Sequence, residues 1–361
     1  MRILEPDYYA QFRCAASDCP DTCCAAWEVI LDDETKAFYD TLPGDFGISV
    51  RESMVCEDGV WMFRTKKGRC PLLTYDALCS VQIKCGEEHL CRTCREYPGF
   101  VSEYGLDRER GLSLSCPEAA RLLLERTQPM AFLRYETDEP LSGYHDLDAE
   151  LYLSLKRARD VALSIAQNRA YPVRRRLGLI LRFAEALQLC IDEDRREDMD
   201  AVCERFSTQK PIRRRGCAPY AIRRTERLFV RFFSRLEILR PDWLPLLSDL
   251  EEALQKDGRQ TLDPPELSGG IEQEQLLVYY ISKFFLRSAY HGDVLVKTKL
   301  IAVCCLMIWL LNWLTHPKTV WENAYRFARE LEHSEENLAV LEHWLERSWR
   351  FGTEKILTLL N

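Results

Sequence analysis

Thiols carry most of the reactive chemistry in the first third of this chain. Cys14-x4-Cys19-x3-Cys23-Cys24 is followed by Cys70-Pro71, Cys79, Cys85, Cys91-x2-Cys94 and Cys116-Pro117. A Cys-x2-Cys pair at a turn offers two thiolates to one metal or cluster, and thiolate-rich sets favour zinc or iron–sulfur centres. These cysteines stand beside Asp18, Asp21, Arg92 and Arg95, not along apolar stripes, so they read as metal-site thiols. Cys304 and Cys305 lie inside an apolar run and read as small core residues. His89, the one histidine of the region, reads as an ordinary surface or core residue. Only Cys91 and Cys94 fit the paired template of a zinc ribbon. Cys19-x3-Cys23 runs straight into Cys24, so the Cys-x3-Cys-x2-Cys signature of radical S-adenosylmethionine enzymes is absent. Any centre must therefore be assembled from separated segments.

The elements that position these thiols divide the chain in two. Eleven of the 16 cysteines precede residue 117, and the other five (Cys190, Cys203, Cys217, Cys304, Cys305) are scattered. In the first part, "DDETKAFYDTL" reads as a short helix, and "CPEAARLLLER" as a helix with proline at its first position. "ISVRESMV" and "VWMFRT", separated by "CEDG", alternate like the strands of a hairpin. From about Leu147 the period becomes helical, in seven segments that run to Trp349, with breaks at Pro172, Pro211, Pro219, Pro241, "DPPELSGG" and Pro317. The expected fold is mainly α. Residues 1–130 form a Cys-rich metal-binding region of short helices and a small β-hairpin, and residues 131–361 an all-α helical domain suited to substrate binding.

Composition and charge narrow the function. Hydrophobic residues make up 47% and charged residues 29% of 361, as in ordinary globular proteins. "LIAVCCLMIWLLNWL" is interrupted by Asn312 and falls short of the roughly 20 apolar residues of a bilayer span, so it reads as a core helix and no membrane partner is expected. "MRILEPDYYAQF" lacks the apolar core of a secretory signal, so a cytoplasmic location is expected, where thiols stay reduced. Net charge is −8, yet residues 169–240 hold 18 basic against 10 acidic side chains, including Arg174 to Arg176 and Arg213 to Arg215. Aromatics interleave with this island only in "RLFVRFF", at core-like spacing. A solvated face or an acidic partner is expected there, not nucleic acid.

"YYAQFRCAASDCPDTCCAAWEVILD", "CPLLTYDALCSVQIKCGEEHLCRTCREYPGF" and "LSLSCPEAARLLL" resemble the bacterial flagellin lysine N-methylase family. The matching positions are Cys14, Cys19, Cys23, Cys24, Cys70, Cys79, Cys91, Cys94 and Cys116, with Arg95-x-Tyr97-Pro98. There is also partial similarity to the broader zinc- or iron-chelating Cys-x3-Cys-Cys proteins. Cys56, Cys85 and Gly99 depart from the family pattern. The resemblance covers about a third of the chain, and "YYISKFFLRSAYHGD" is the helical piece most expected to be shared.

The resemblance implies a protein-lysine N-methyltransferase that moves a methyl group from S-adenosylmethionine to the ε-amine of flagellin lysines, with a 4Fe-4S cluster in the enzyme. A cluster held by three thiolates would leave one iron open to the amino and carboxylate groups of the donor. No G-x-G-x-x-G is present, so the donor would bind without a Rossmann loop. The nine matching cysteines exceed one cluster's need, which makes zinc a further candidate. Cys19, Cys23, Cys91 and Cys94 are the first four to test as cluster ligands, and Asp293 and Tyr97 are candidates for the group that takes the acceptor's proton. The rival reading is a non-enzymatic zinc- or iron-binding interaction protein, with electron transfer a third. Oligomeric state is not legible in the sequence.

Overall fold

The computed structural model describes residues 1–25, 29–65, 68–140, 147–211, 219–256, 270–317 and 319–360. Arg213 to Arg215, Cys217 and most of "DPPELSGG" lie outside the described residues. The chain starts with strand β1 (Arg2–Pro6) and then runs from Tyr8 to Cys24 with no regular element longer than a single 3-10 turn.

A small layer follows: β2 (Val29–Ile30), α1 (Asp33–Thr41), α2 (Gly44–Ser53), β3 (Met54–Glu57) and β4 (Val60–Phe63). Asp32 caps α1 by accepting from the Thr35 amide at 3.0 Å, and its other oxygen accepts from the Arg92 amide at 2.8 Å. One carboxylate thus starts a helix and ties down a loop 60 residues away. The hairpin exists, with Asp58 and Gly59 both at positive φ in the two-residue turn, as a tight hairpin requires. Its first strand is shorter than the alternation suggested, because residues 48–53 are helical. Ile48 is exposed while Val50 is fully buried, which a strand with both on one face would not give. Gly47 permits the helix: a Cβ there would stand 1.9 Å from the Leu42 carbonyl oxygen.

The short helices α3 (Ser80–Cys85) and α4 (Arg92–Glu96) complete this layer around a core of Val29, Leu31, Tyr39, Val50, Met54, Phe63, Leu72, Val81 and Cys91. Next come β5 (Gly99–Tyr104), β6 (Asp107–Leu112), α5 (Pro117–Leu124) and β7 (Phe132–Glu136). They build a four-stranded sheet in the order β5-β6-β1-β7, with β1 parallel to β6 and antiparallel to β7. This sheet is absent from the sequence-based expectation. In β6, Asp107 and Glu109 face inward and are buried. Their partners come from the next helix, α6 (Ala149–Ala166): Lys156 Nζ at 2.5 Å and Tyr152 Oη at 2.6 Å from Asp107, and the buried Arg159 on Glu109. The sheet is held to the helices partly by charge.

The remaining helices are α7 (Val173–Asp192), α8 (Met199–Thr208), α9 (Pro219–Phe233), α10 (Trp243–Lys256), α11 (Ile271–Phe284), α12 (Val294–Thr315), α13 (Glu322–Glu332), α14 (Glu335–Arg347) and α15 (Thr353–Leu359). The protein is mainly helical, as expected. α8, α10 and α15 were not among the seven periodic segments: α8 places Met199, Cys203 and Phe206 inward within a single short stripe, α10 carries Pro245 in its first turn, where proline is tolerated, and α15 is only seven residues long. α12 is long and apolar enough to cross a membrane by length and composition, and nearly all of it is packed inside the helical core. Lys297, buried in it, reaches Glu342 at 2.7 Å, and Lys299 the Leu345 carbonyl at 3.0 Å. Cys304 and Cys305 are fully buried.

Candidate functional site

A cavity of about 810 Å³ lies where the small core meets the large one, with Val29, Tyr39, Phe63, Leu72 and Val81 on one wall and Leu112 on the other. All nine of the expected cysteines line it: Cys14, Cys19, Cys23, Cys24, Cys70, Cys79, Cys91, Cys94 and Cys116. Cys56 and Cys85 do not. Cys56 is exposed on β3, and Cys85 ends α3 away from the chamber.

Local structure explains how distant segments deliver these thiols. Cys79, Cys91 and Cys116 are the residues that precede the first turns of α3, α4 and α5. Each sulfur lies against amide N–H groups of the turn it precedes, an environment that favours thiolate, without closing a capping hydrogen bond. Cys70 is fixed by its amide, which donates to the Cys24 carbonyl at 2.9 Å and joins the two cysteine segments. The Cys14–Cys24 loop is pinned from the helical side. Arg329 of α13, fully buried, pairs with Asp21 at 2.8 Å and donates through Nε to the Ser115 carbonyl at 2.8 Å, while Arg240 grips the same Asp21.

Burial works against ionisation in the chamber. It pushes the Cys70 thiol up to about 11 and that of Cys116 to about 12, and raises Cys19 and Cys79 as well. Cys23 is raised first by its hydrogen bond to Cys24 and then by burial. In the Cys91–Cys94 pair the shared proton stays with Cys94, whose hydrogen bond pulls Cys91 down and makes it the readiest thiolate. Cys23 sits centrally, so that ionising it would make Cys19, Cys70, Cys79 and Cys116 harder to ionise. Binding a soft metal here would have to release protons.

The donor set fits a thiophilic centre, since every candidate ligand is sulfur. Among the described residues, no three His, Cys, Asp or Glu side chains are drawn together as for a single ion. The thiols stand around a chamber.

Other expected residues divide clearly. Tyr97 lines the cavity, its buried phenol 3.1 Å from Ser115 Oγ and its affinity for the proton raised by burial. Asp293 does not line it; it precedes α12 and pairs with Lys297 at 3.2 Å. His89 stacks on Phe38 at 4.1 Å, outside the chamber. Gly99, a departure from the family pattern, is sterically required, because a Cβ there would stand 2.7 Å from the Glu96 carbonyl oxygen. Arg329 and Arg240 were missed by sequence reasoning: nothing in the spacing of an arginine more than 200 residues away points to a cysteine loop.

Comparisons with known proteins place the sequence in a family. Residues 159–359 match the model of the FliB lysine N-methylase C-terminal domain. The chain is 31% identical over 137 residues to a lysine-N-methylase of Salmonella typhimurium strain LT2, a match covering 36% of this chain and 34% of that protein. It is 29% identical over 136 residues to the flagellar biosynthetic protein FliU of Salmonella muenchen, covering 36% of this chain and 80% of that one. The match thus spans about a third of the length of the Salmonella typhimurium relative. No solved structure matches. With the family model covering more than half of its length, the chain belongs to the FliB lysine N-methylase family.

Proposed function

We propose that this protein is a protein-lysine N-methyltransferase that carries a methyl group from S-adenosylmethionine to the ε-amine of flagellin lysines, with a 4Fe-4S cluster bound by chamber cysteines. The observation that carries the reading is the convergence of nine thiols from four separated segments on one cavity, in a chain of this family. Relatives named lysine-N-methylase and flagellar biosynthetic protein support the reaction and the substrate. The cavity's size falls in the range of small-molecule sites of roughly 300–1,000 Å³.

The cluster would be held by a subset of Cys14, Cys19, Cys23, Cys24, Cys70, Cys79, Cys91, Cys94 and Cys116, with Cys19, Cys23, Cys91 and Cys94 the first set to test. When bound, it supplies iron coordination for the donor's polar groups. The chain's own residues do the remainder. Arg329 and Arg240 hold the Cys14–Cys24 loop in place through Asp21, and Tyr39, Phe63 and Leu72 give the chamber an apolar wall. The acceptor must react as a neutral amine, whereas a free lysine, of pKa about 10.4, is mostly ammonium at neutral pH. Desolvation in this chamber lowers that affinity.

The test is methyl transfer to purified flagellin from labelled S-adenosylmethionine, with iron and sulfide measured on the same anaerobic preparation. Label in flagellin that disappears with Cys91→Ser plus Cys94→Ser supports the proposal. Iron-loaded protein with no transfer sinks it. The rival, a metal module without turnover, draws on the thinness of the small core, against which Cys70, Cys79, Cys85 and Cys94 pack beside Phe38, Leu42, Phe46, Trp61 and Leu90. Full zinc occupancy without sulfide or transfer would favour that rival.

A further inference from the structure

Behind the chamber wall runs a chain of hydroxyl groups that ends on a buried ion pair. Tyr97 Oη is 3.1 Å from Ser115 Oγ, Ser115 Oγ is 2.8 Å from Ser113 Oγ, and Ser113 Oγ donates to Glu332 Oε2 at 2.5 Å. Glu332 pairs with Lys283, and both side chains are less than a tenth exposed. Tyr279 Oη closes the group, 3.3 Å from Glu332 and 3.2 Å from Lys283 Nζ, and accepts from the Leu114 amide at 3.1 Å. Each hydroxyl can donate and accept, so the line can pass a proton without any of them becoming charged.

A buried carboxylate–ammonium pair is costly to desolvate, and replacement by apolar residues is often neutral or stabilising. Here the pair sits at the inner end of a hydroxyl line whose outer member borders the one cavity where a lysine must lose a proton. We propose that Tyr97, Ser115 and Ser113 form a proton relay that takes the acceptor lysine's proton from the chamber to Glu332. This rests on the methyl-transfer reading above.

The step balances. The N–H bond of the ammonium breaks as its proton bonds to Tyr97 Oη. The former Tyr97 proton moves to Ser115, that of Ser115 to Ser113, and that of Ser113 to the Glu332 carboxylate. The amine is left with its lone pair, and Glu332 is left as a carboxylic acid beside Lys283. After release of the methylated product the proton returns by the same path. Tyr97 is also faced by Cys116, Arg329, Cys23 and the edge of His333, and Glu332 by Lys283, Tyr279, Tyr280 and Cys304.

The test uses the metal-loaded full chain with flagellin and S-adenosylmethionine, and compares wild type with Tyr97→Phe and Ser115→Ala between about pH 7 and about pH 9.5. Each variant breaks one link and keeps the packing, and equal melting temperature and iron content establish that each is folded and loaded. The expected result is a fall in kcat of about a hundredfold or more at about pH 7, within the usual range of proton-transfer catalysis, with KM for flagellin held. The deficit should shrink as pH rises and solvent supplies the neutral amine. Glu332→Gln should give the same pH-dependent deficit if it folds. Wild-type turnover with an unmoved pH profile in both variants, or a deficit equal at every pH, overturns the relay alone. A wild type with no transfer overturns the functional reading and the relay with it.

Discussion

Tyr39, Phe63 and Leu72 anchor a small core rimmed by thiols, whereas α12 runs from Leu300 to Leu311 without one exposed side chain through a core supplied by ten other helices and a sheet. A buried aliphatic or aromatic side chain contributes roughly 1.5–3 kcal/mol, so the large core can hold itself together while the small one has little to spare. The small core depends on devices: the Asp32 cap, the Gly47 contact with Leu42, the grip of Arg329 and Arg240 on Asp21, and, under the proposal, a metal centre. The two regions meet at the chamber. Rigidity comes from one side and reactive groups from the other.

The largest effect should follow from removing thiols. Cys91→Ser with Cys94→Ser should lose most bound metal and methyl transfer, read by metal analysis and label transfer, while Cys56→Ser with Cys85→Ser, both outside the chamber, should change neither. Equal losses in both pairs would erase the distinction drawn here between lining and bystander cysteines.

Next comes the clamp. Arg329→Leu leaves Asp21 with Arg240 alone and strips the buried Ser115 carbonyl of its donor, so it should destabilise by about 1–3 kcal/mol, the cost of an unsatisfied buried polar group, read by denaturant unfolding. The loss should appear together with weaker metal retention, since the clamp spans both regions.

Acid should then separate sheet from helices. Burial opposes the ionisation of Asp107, but its bonds from Lys156 and Tyr152 outweigh it and hold its affinity for the proton below that of a free aspartate, of pKa about 3.9. Its stabilisation is therefore complete above that value and drains away as pH falls through the lower folded value. Asp107→Asn should flatten this acid limb of the stability curve; an unchanged limb would show that the pairing contributes nothing.

The smallest effect is local. Asp32→Ala should cost about 1 kcal/mol through the lost helix cap, and it should disturb exchange of the Arg92 amide more than any amide of α12.

Much of the chamber was legible because its thiols sit in compact motifs next to turns, where Cys79, Cys91 and Cys116 precede helices. The long helices of the second half were legible from period, though α8, α10 and α15 were not, and "YYISKFF" supplied Tyr279 and Lys283 of the buried network. β6 was not, because "DRERGL" turns Asp107 and Glu109 inward, and polar letters at core positions look like a loop until Lys156 and Arg159 of α6 are seen opposite them. Residues 48–53 misled for the opposite reason: a short alternating stretch fits a strand and a helical turn equally well. Arg329 left no local trace at all.

The most direct test of the central claim is the iron, acid-labile sulfide and zinc content per chain of protein purified without oxygen. About four irons and four sulfides, with no stoichiometric zinc, is the predicted result. A full zinc ion with no sulfide, or a metal-free chamber in protein never exposed to oxygen, would contradict it.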